Sequence, residues 1–304
     1  DYLVPNRFED GYGLSPEVVD QAHARGAQLI VTVDNGISSH AGVEHARSLG
    51  IPVIVTDHHL PGDTLPAAEA IINPNLRDCN FPSKSLAGVG VAFYLMLALR
   101  TFLRDQGWFD ERGIAIPNLA ELLDLVALGT VADVVPLDAN NRILTWQGMS
   151  RIRAGKCRPG IKALLEVANR DPQKLAASDL GFALGPRLNA AGRLDDMSVG
   201  VALLLCDNIG EARVLANELD ALNQTRKEIE QGMQVEALTL CEKLERSRDT
   251  LPGGLAMYHP EWHQGVVGIL ASRIKERFHR PVIAFAPAGD GTLKGSGRSI
   301  QGPK

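Results

Sequence analysis

The sequence predicts an α/β protein, a parallel-sheet domain joined by a long helix to a smaller α/β domain. Three observations lead there. Residues 29–33 and 53–56 are β-branched, apolar runs without polar alternation, the pattern of strands buried on both faces of a parallel sheet. The interval between them holds one helix, roughly residues 38–49, closed by Gly50-Ile51-Pro52, so the three segments form a right-handed βαβ unit. Beyond residue 210 the pattern changes to a long charged helix, and past Gly253-Gly254 to a second, shorter α/β alternation.

Taken in order, Asp1-Tyr2-Leu3-Val4-Pro5 opens as a short strand. Ser15-Pro16-Glu17 starts a helix, with a hydroxyl cap, proline at the first helical position and an acid in the first turn; it ends near Gly26. The first buried strand runs into Asp34-Asn35-Gly36 and the second into Asp57-His58-His59. The crossover puts both acidic tips at one carboxyl edge, where open α/β sheets bind ligands. Ala70-Ile71-Ile72-Asn73-Pro74 reads as another short strand, stopped by proline. Residues 86–103 and 119–128 are apolar helices, the second leading into Gly129-Thr130-Val131-Ala132-Asp133. Residues 142–168 make two short helices broken at Arg158-Pro159-Gly160, and residues 185–193, polar and punctuated by glycine, read as a loop.

From 210 to 246 Leu215, Leu219, Leu222, Ile229, Met233 and Leu240 form a narrow apolar stripe. Such a helix, about 50 Å long at 1.5 Å per residue, reads as a strut between domains, with an ordinary bundle helix as the alternative. Residues 255–258 are a strand, 266–278 a helix, 282–285 a strand and 294–299 a further strand. The domains expected are therefore 1–205, a connecting helix over 206–250, and 251–304.

At 304 residues the chain has room for two domains. A hydrophobic content of 45% and a charged content of 22% are those of a globular protein. The net charge of −5 advertises no global basic field, although a local basic groove is compatible with it. Cys79, Cys157, Cys206 and Cys241 are scattered without a C-x-x-C pair and read as reduced, mostly buried thiols, not a disulfide framework or zinc site. No apolar run approaches membrane-spanning length and no signal-peptide layout opens the chain, so a cytoplasmic protein is expected. Both ends read as cut, which predicts a piece of a longer protein.

The chemistry gathers at the strand tips. Neighbouring side chains on an extended segment point to opposite sides, so His58 and His59 are expected to do different jobs. One ligates a metal through a neutral ring nitrogen, the other faces substrate, and Asp57 orients an imidazole. A polar turn with surface histidines is the plainer alternative. Asp34 is the companion ligand, although Asp-Asn-Gly is also good turn chemistry. Carboxylate with imidazole suits Mn²⁺, and Mg²⁺ less distinctly. Asp133, isolated among small apolar neighbours, needs a partner, a capping role or a metal. Arg187, Asn189 and Arg193 could clamp a phosphodiester as a fork, or pin a loop through surface ion pairs. Gly295-Ser296-Gly297-Arg298-Ser299 suggests an anion-binding backbone nest. Trp262-His263-Gln264-Gly265 precedes a helix whose amides could meet a phosphate, with His263 as a contact or a plain cap.

In this order the motifs resemble the DHH phosphoesterase superfamily, and within it the RecJ branch of single-strand-specific exonucleases. The residues that carry the likeness are Val33-Asp34-Asn35-Gly36, Asp57-His58-His59, Leu128-Gly129-Thr130-Val131-Ala132-Asp133, Pro186 to Arg193, Trp262-His263-Gln264-Gly265-Val266-Val267-Gly268 and Ser296-Gly297-Arg298-Ser299. The resemblance implies a DHH domain with a two-ion Mn²⁺ or Mg²⁺ centre, a long connecting helix, and a DHHA1-type domain that closes over the strand. It makes Asp34, His58 and Asp133 metal ligands and His59 a phosphate-facing residue. Asn189, Arg193, Ser296 and Arg298 become substrate contacts, beside Arg187 and His263. It implies a monomeric 5′→3′ exonuclease of single-stranded DNA in recombination and repair, with single-strand-binding protein and a helicase as partners and no membrane. A hydrolase of cyclic dinucleotides or short RNAs, and a non-catalytic strand-binding scaffold, are the rival readings. The family's upstream Asp-x-Asp motif, its Gly-Gly-His segment and its OB-type domain have no counterpart in these residues, so the fragment by itself is expected to be inactive.

Overall fold

The computed structural model describes residues 1–5, 10, 13–247, 252–288 and 291–300. Ser15 accepts from the Val18 amide and caps α1 (Pro16–Ala24). β1 (Ile30–Val33), α2 (His40–Ser48) and β2 (Val53–Thr56) complete the predicted βαβ unit, with Val33 registered on Thr56 in a parallel pair. β3 (Ala70–Ile72) adds in parallel on the other side of β2, giving the order β1-β2-β3. Val18, Val19, Val43, Ala46, Val53 and Val55 fill the core between this sheet and the two helices, with Ile30 and Ile71 against it.

Burial on both faces does not hold for β1. Leu29, Val31 and Val33 are 48%, 45% and 52% exposed. The helices cover the face of opposite parity, and among the described residues β1 is the outer strand of the sheet. Residues 1–5 are not a strand either: Leu3 packs against the core, and the Tyr2 carbonyl accepts from Arg25 instead of joining a ladder.

The helical part follows as α3 (Gly88–Asp105), the short α4 (Trp108–Arg112), a 3₁₀ turn over Leu119–Leu122, α5 (Leu123–Ala132), α6 (Ala139–Arg153) and α7 (Pro159–Val167). The helix expected over 119–128 thus runs on to Ala132. The short α8 (Ala177–Asp179) leads into a π-helical turn, Leu180–Leu184, which continues directly as α9 (Gly185–Leu194); α10 (Ser198–Leu205) comes next. The loop expected over 185–193 is therefore a helix. Proline is tolerated in a first helical turn, and Leu188, Ala190 and Ala191, all buried, gain more from packing than the glycines cost.

α11 (Ile209–Ser247) is 39 residues long. Its buried seam is not the leucine stripe alone but Ala212, Ala216, Leu219, Asn223, Glu230, Met233, Ala237 and Cys241. Beyond it β4 (Leu255–Tyr258) pairs parallel with β5 (Val282–Pro287), β6 (Leu293–Arg298) pairs antiparallel with β5, and α12 (Val267–Phe278) connects β4 to β5. The Gly295–Ser299 nest is not formed: Gly295, Ser296 and Gly297 register on Phe285, Ala284 and Ile283 as extended ladder residues. A nest needs alternating helical-region backbone.

By contacts the chain divides into two units, 1–188 with 196–217, and 189–195 with 218–304. The second has its own core of Met233, Ala237, Cys241, Trp262, Leu270, Ile274 and Val282. Residues 248–251, where the connecting helix was expected to end, and Gly302-Pro303-Lys304 lie outside the described residues. Among the described residues no helix is long and apolar enough to cross a membrane.

Candidate metal centre

The tips of β1 and β2 are tied together by one buried carboxylate. Asp57, 1% exposed, accepts from the Ile37 amide at 3.0 Å, the His58 amide at 2.7 Å, the His59 amide at 3.1 Å and His59 Nδ1 at 2.7 Å. Burial opposes its ionisation, but the Ile37 donor, the His59 ring and the two adjacent amides outweigh it and hold its pKa below the ordinary carboxylate value. These local bonds bend the chain out of the strand at Asp57. Strand alternation consequently fails for the histidines: their rings do not point to opposite sides but stand with centroids 4.7 Å apart.

Asparagines after β3 support the same segment. Asn73, 3% exposed, donates to the His59 carbonyl at 2.9 Å, and Asn75 donates to the His58 carbonyl. Neither is marked by the sequence, where Asn73-Pro74-Asn75 signals only the end of a strand.

Asp34 follows β1 with φ +64°, a left-handed conformation that aspartate tolerates better than most residues. Its Oδ1 lies 3.0 Å from His58 Nε2, and Asp133 Oδ2 lies 3.3 Å from that same nitrogen. Asp133 comes from the end of α5, not from a strand. There the helix dipole disfavours a carboxylate and favours a cation. Val134, next in the chain, is β-branched, 84% exposed and held at φ +61°, backbone strain of the kind that gathers at functional sites.

A third support is hidden inside an apolar helix. The Cβ of any larger residue at Gly88, at the start of α3, would lie 2.3 Å from Asp34 Oδ1. Only glycine lets the helix backbone approach that carboxylate.

The electrostatics show what the cluster attracts. The Asp34 carboxylate, chiefly, raises the His58 pKa against the effect of burial, with Asp133 adding to it. Burial raises that of Asp133, and the like charge of Asp34 adds to it against the opposing His58 and His59. Yet Asp34 Oδ1 and His58 Nε2, although 3.0 Å apart, are not aligned as a hydrogen bond, and among the described residues neither buried atom has a hydrogen-bond partner. Two lone-pair donors that face each other off-axis suit a shared cation better than a shared proton. Asp34, His58 and His59 each offer a donor atom, all within 4.8 Å of one another. Oxygen with imidazole nitrogen fits Mn²⁺ and is compatible with Mg²⁺.

The remaining candidates lie elsewhere. Arg187, Asn189 and Arg193 occupy α9, so the converging loop fork is replaced by positions on one helix. Arg187 donates to the Ala183 carbonyl at 2.7 Å and Arg193 to the Gly265 carbonyl at 3.2 Å. His263 accepts from the Gly265 amide at 3.1 Å, and burial lowers its pKa. Ser296 and Arg298 are neighbours on β6, joined at 3.0 Å.

Comparison with known proteins gives the family and the fold. Residues 1–130 match the DHH family N-terminal domain and residues 252–304 the DHHA1 domain. The single-stranded-DNA-specific exonuclease RecJ of Escherichia coli K12 is 99% identical over 302 residues, which are 99% of this chain and 52% of that protein. The chain thus spans about half the length of that curated relative. A crystal structure of exonuclease RecJ bound to manganese superposes with a TM-score of 0.78 at 36% identity, covering 98% of this chain and 70% of the other. RecJ from Thermus thermophilus is similar in complexes with Mn²⁺ (TM-score 0.73, 33% identity) and with Mg²⁺ (0.62, 29%), each covering 94% of this chain and 44% of the other.

Proposed function

The chain belongs to the RecJ family of DHH phosphoesterases, and from that premise we propose that it carries the metal centre of a 5′→3′ exonuclease of single-stranded DNA. The whole protein would act in recombination and repair in the cytoplasm, as a monomer, with single-strand-binding protein and a helicase as working partners. Residues 1–205 are read as its DHH domain, 206–250 as the connecting helix and 251–304 as the DHHA1-type domain. The observation that carries the reading is the buried, misaligned pair of Asp34 Oδ1 and His58 Nε2 with Asp133 beside it.

Asp34, His58 and Asp133 would hold Mn²⁺ or Mg²⁺, with two ions in the complete enzyme. Bound divalent ions of this class polarise the phosphoryl group, lower the pKa of water and stabilise the leaving oxygen. Asp57 fixes His59 through Nδ1, so His59 Nε2 is left to face a phosphate oxygen and hold or give a proton there. Arg187, Asn189, Arg193, His263, Ser296 and Arg298 are assigned to the strand, which they would bind and orient through its phosphates.

The test is a nuclease assay on the full-length protein with 5′-labelled single and double strands in Mn²⁺, alongside Asp34→Asn, His58→Ala and Asp133→Asn. Wild type should degrade the single strand only, and each substitution should abolish turnover. An Asp34→Asn or His58→Ala protein that keeps wild-type rates would overturn the assignment. The 304-residue chain assayed alone should bind the strand without hydrolysing it.

A further inference from the structure

Arg298, at the end of β6, has most of its hydrogen-bonding capacity committed within the smaller unit. Its Nε donates to Ser272 Oγ on α12 at 3.1 Å, and its Nη1 donates to Ser296 Oγ at 3.0 Å and to the Gly297 carbonyl at 2.7 Å. A guanidinium has five N–H donors. Among the described residues three are thus spent on the chain itself, and the pair on Nη2 remains. Ser272 stands one turn beyond Gly268, on the same face of α12. A Cβ at Gly268 would sit 3.2 Å from Arg298 Nη2 and 3.0 Å from Ser296 Oγ. The guanidinium therefore lies on bare helix backbone at Gly268 and is held by the hydroxyl at Ser272. Ser272 belongs to none of the sequence motifs.

We propose that Ser272 and Gly268 are positioning residues that lay Arg298 across α12 with Nε and Nη1 committed, so that Nη2 is the one nitrogen through which it meets a strand phosphate. A freely swinging arginine takes a phosphate side-on through two nitrogens; here Nε is committed to Ser272, which fixes the direction of the contact. The inference rests on the reading above in which Arg298 contacts the strand, and the experiment separates the two.

The measurement is fluorescence anisotropy of a labelled oligo-dT with the 304-residue chain across a salt series, with thermal unfolding of each variant. Arg298→Ala should weaken binding about 10-fold and flatten the log–log salt slope by about 0.7, the value for one contact to a single strand. Ser272→Ala should weaken it about 3- to 5-fold, within the range for one lost hydrogen bond, and flatten the slope in the same direction. Ser272→Thr should restore both. The double variant Ser272→Ala/Arg298→Ala should bind no worse than Arg298→Ala, because Ser272 acts only through the arginine. Gly268→Ala supplies a second check: its Cβ would displace the guanidinium, so affinity should fall about 3- to 5-fold, while alanine's helix preference offsets the disturbed contacts and keeps the change in Tm small. Ser272→Ala and Gly268→Ala binding like wild type, or Ser272→Ala adding its loss to that of Arg298→Ala, would overturn the positioning role. No measurable binding by wild type, or an Arg298→Ala chain that binds normally, would instead overturn the assignment of Arg298 to the strand.

Discussion

At the scale of single residues, the acid–imidazole cluster should make the chain's stability and its metal affinity respond to pH in opposite directions. His58 and Asp133 both sit above their ordinary values of 6.5 and 3.8. A group raised on folding contributes stability that is complete below its unfolded value and is lost as pH rises through the folded one. In chelator-containing buffer, denaturant unfolding should therefore show falling stability as pH climbs past 6.5, and His58→Asn should remove that neutral-range dependence. Asp57, lowered on folding, acts the other way: its contribution is present above 3.8 and is lost in acid. Because protons and metal compete for His58, Mn²⁺ affinity measured by calorimetry should rise over the range in which stability falls. His58→Ala should weaken Mn²⁺ binding, whereas His59→Ala should leave it near normal and lower turnover in the full-length enzyme; equal losses of affinity would make His59 a ligand as well. Gly88→Ala, driven into Asp34, should cost about 10- to 100-fold in Mn²⁺ affinity, the usual effect of groups that support a ligand. Asp34, His58 and Asp133 are legible in the sequence because charged residues interrupt apolar runs. Gly88, Asn73 and Asn75 are not, because what matters is what approaches them in space: a glycine in an apolar helix carries no local mark of the carboxylate beside it.

At the scale of elements, the sequence shows where helices and strands lie more reliably than what covers them. The βαβ unit is legible from its β-branched runs, yet the same runs cannot distinguish an outer strand from a central one, since both are apolar. The open face of β1 should be a source of self-association. Val31→Lys should reduce light scattering on concentration and change unfolding stability by no more than about 0.5 kcal/mol, as for an ordinary surface substitution. A drop well beyond that would mean Val31 is packed. α9 reads as a loop because its glycines and proline are conspicuous, whereas its two buried alanines contribute through packing that only the fold reveals. On α11 the leucines draw attention to a stripe while alanines, Asn223 and Glu230 complete the seam. Glu230 is kept there by Arg226 at 2.7 Å and Arg273 at 3.1 Å, partners three-dimensional packing supplies and periodicity cannot.

At the scale of the whole molecule, two units with separate cores share one acidic chain of net charge −5. The strand binding proposed above would come from local cations and not from a global field, so it should collapse steeply with added salt. The placement of Cys241 has a use of its own. It is fully buried in the smaller unit's core, whereas Cys79, Cys157 and Cys206 are only half-buried. Under native conditions a maleimide or disulfide reagent reaches Cys241 only when that core opens, so its labelling rate is a stopwatch for one unit read out in the intact chain. Leu270→Ala, a cavity in the same core, should cost about 2–5 kcal/mol and quicken Cys241 labelling at least 10-fold. The rates at the other three thiols should stay as they were; if all four quicken together, the two cores melt as a single cooperative body.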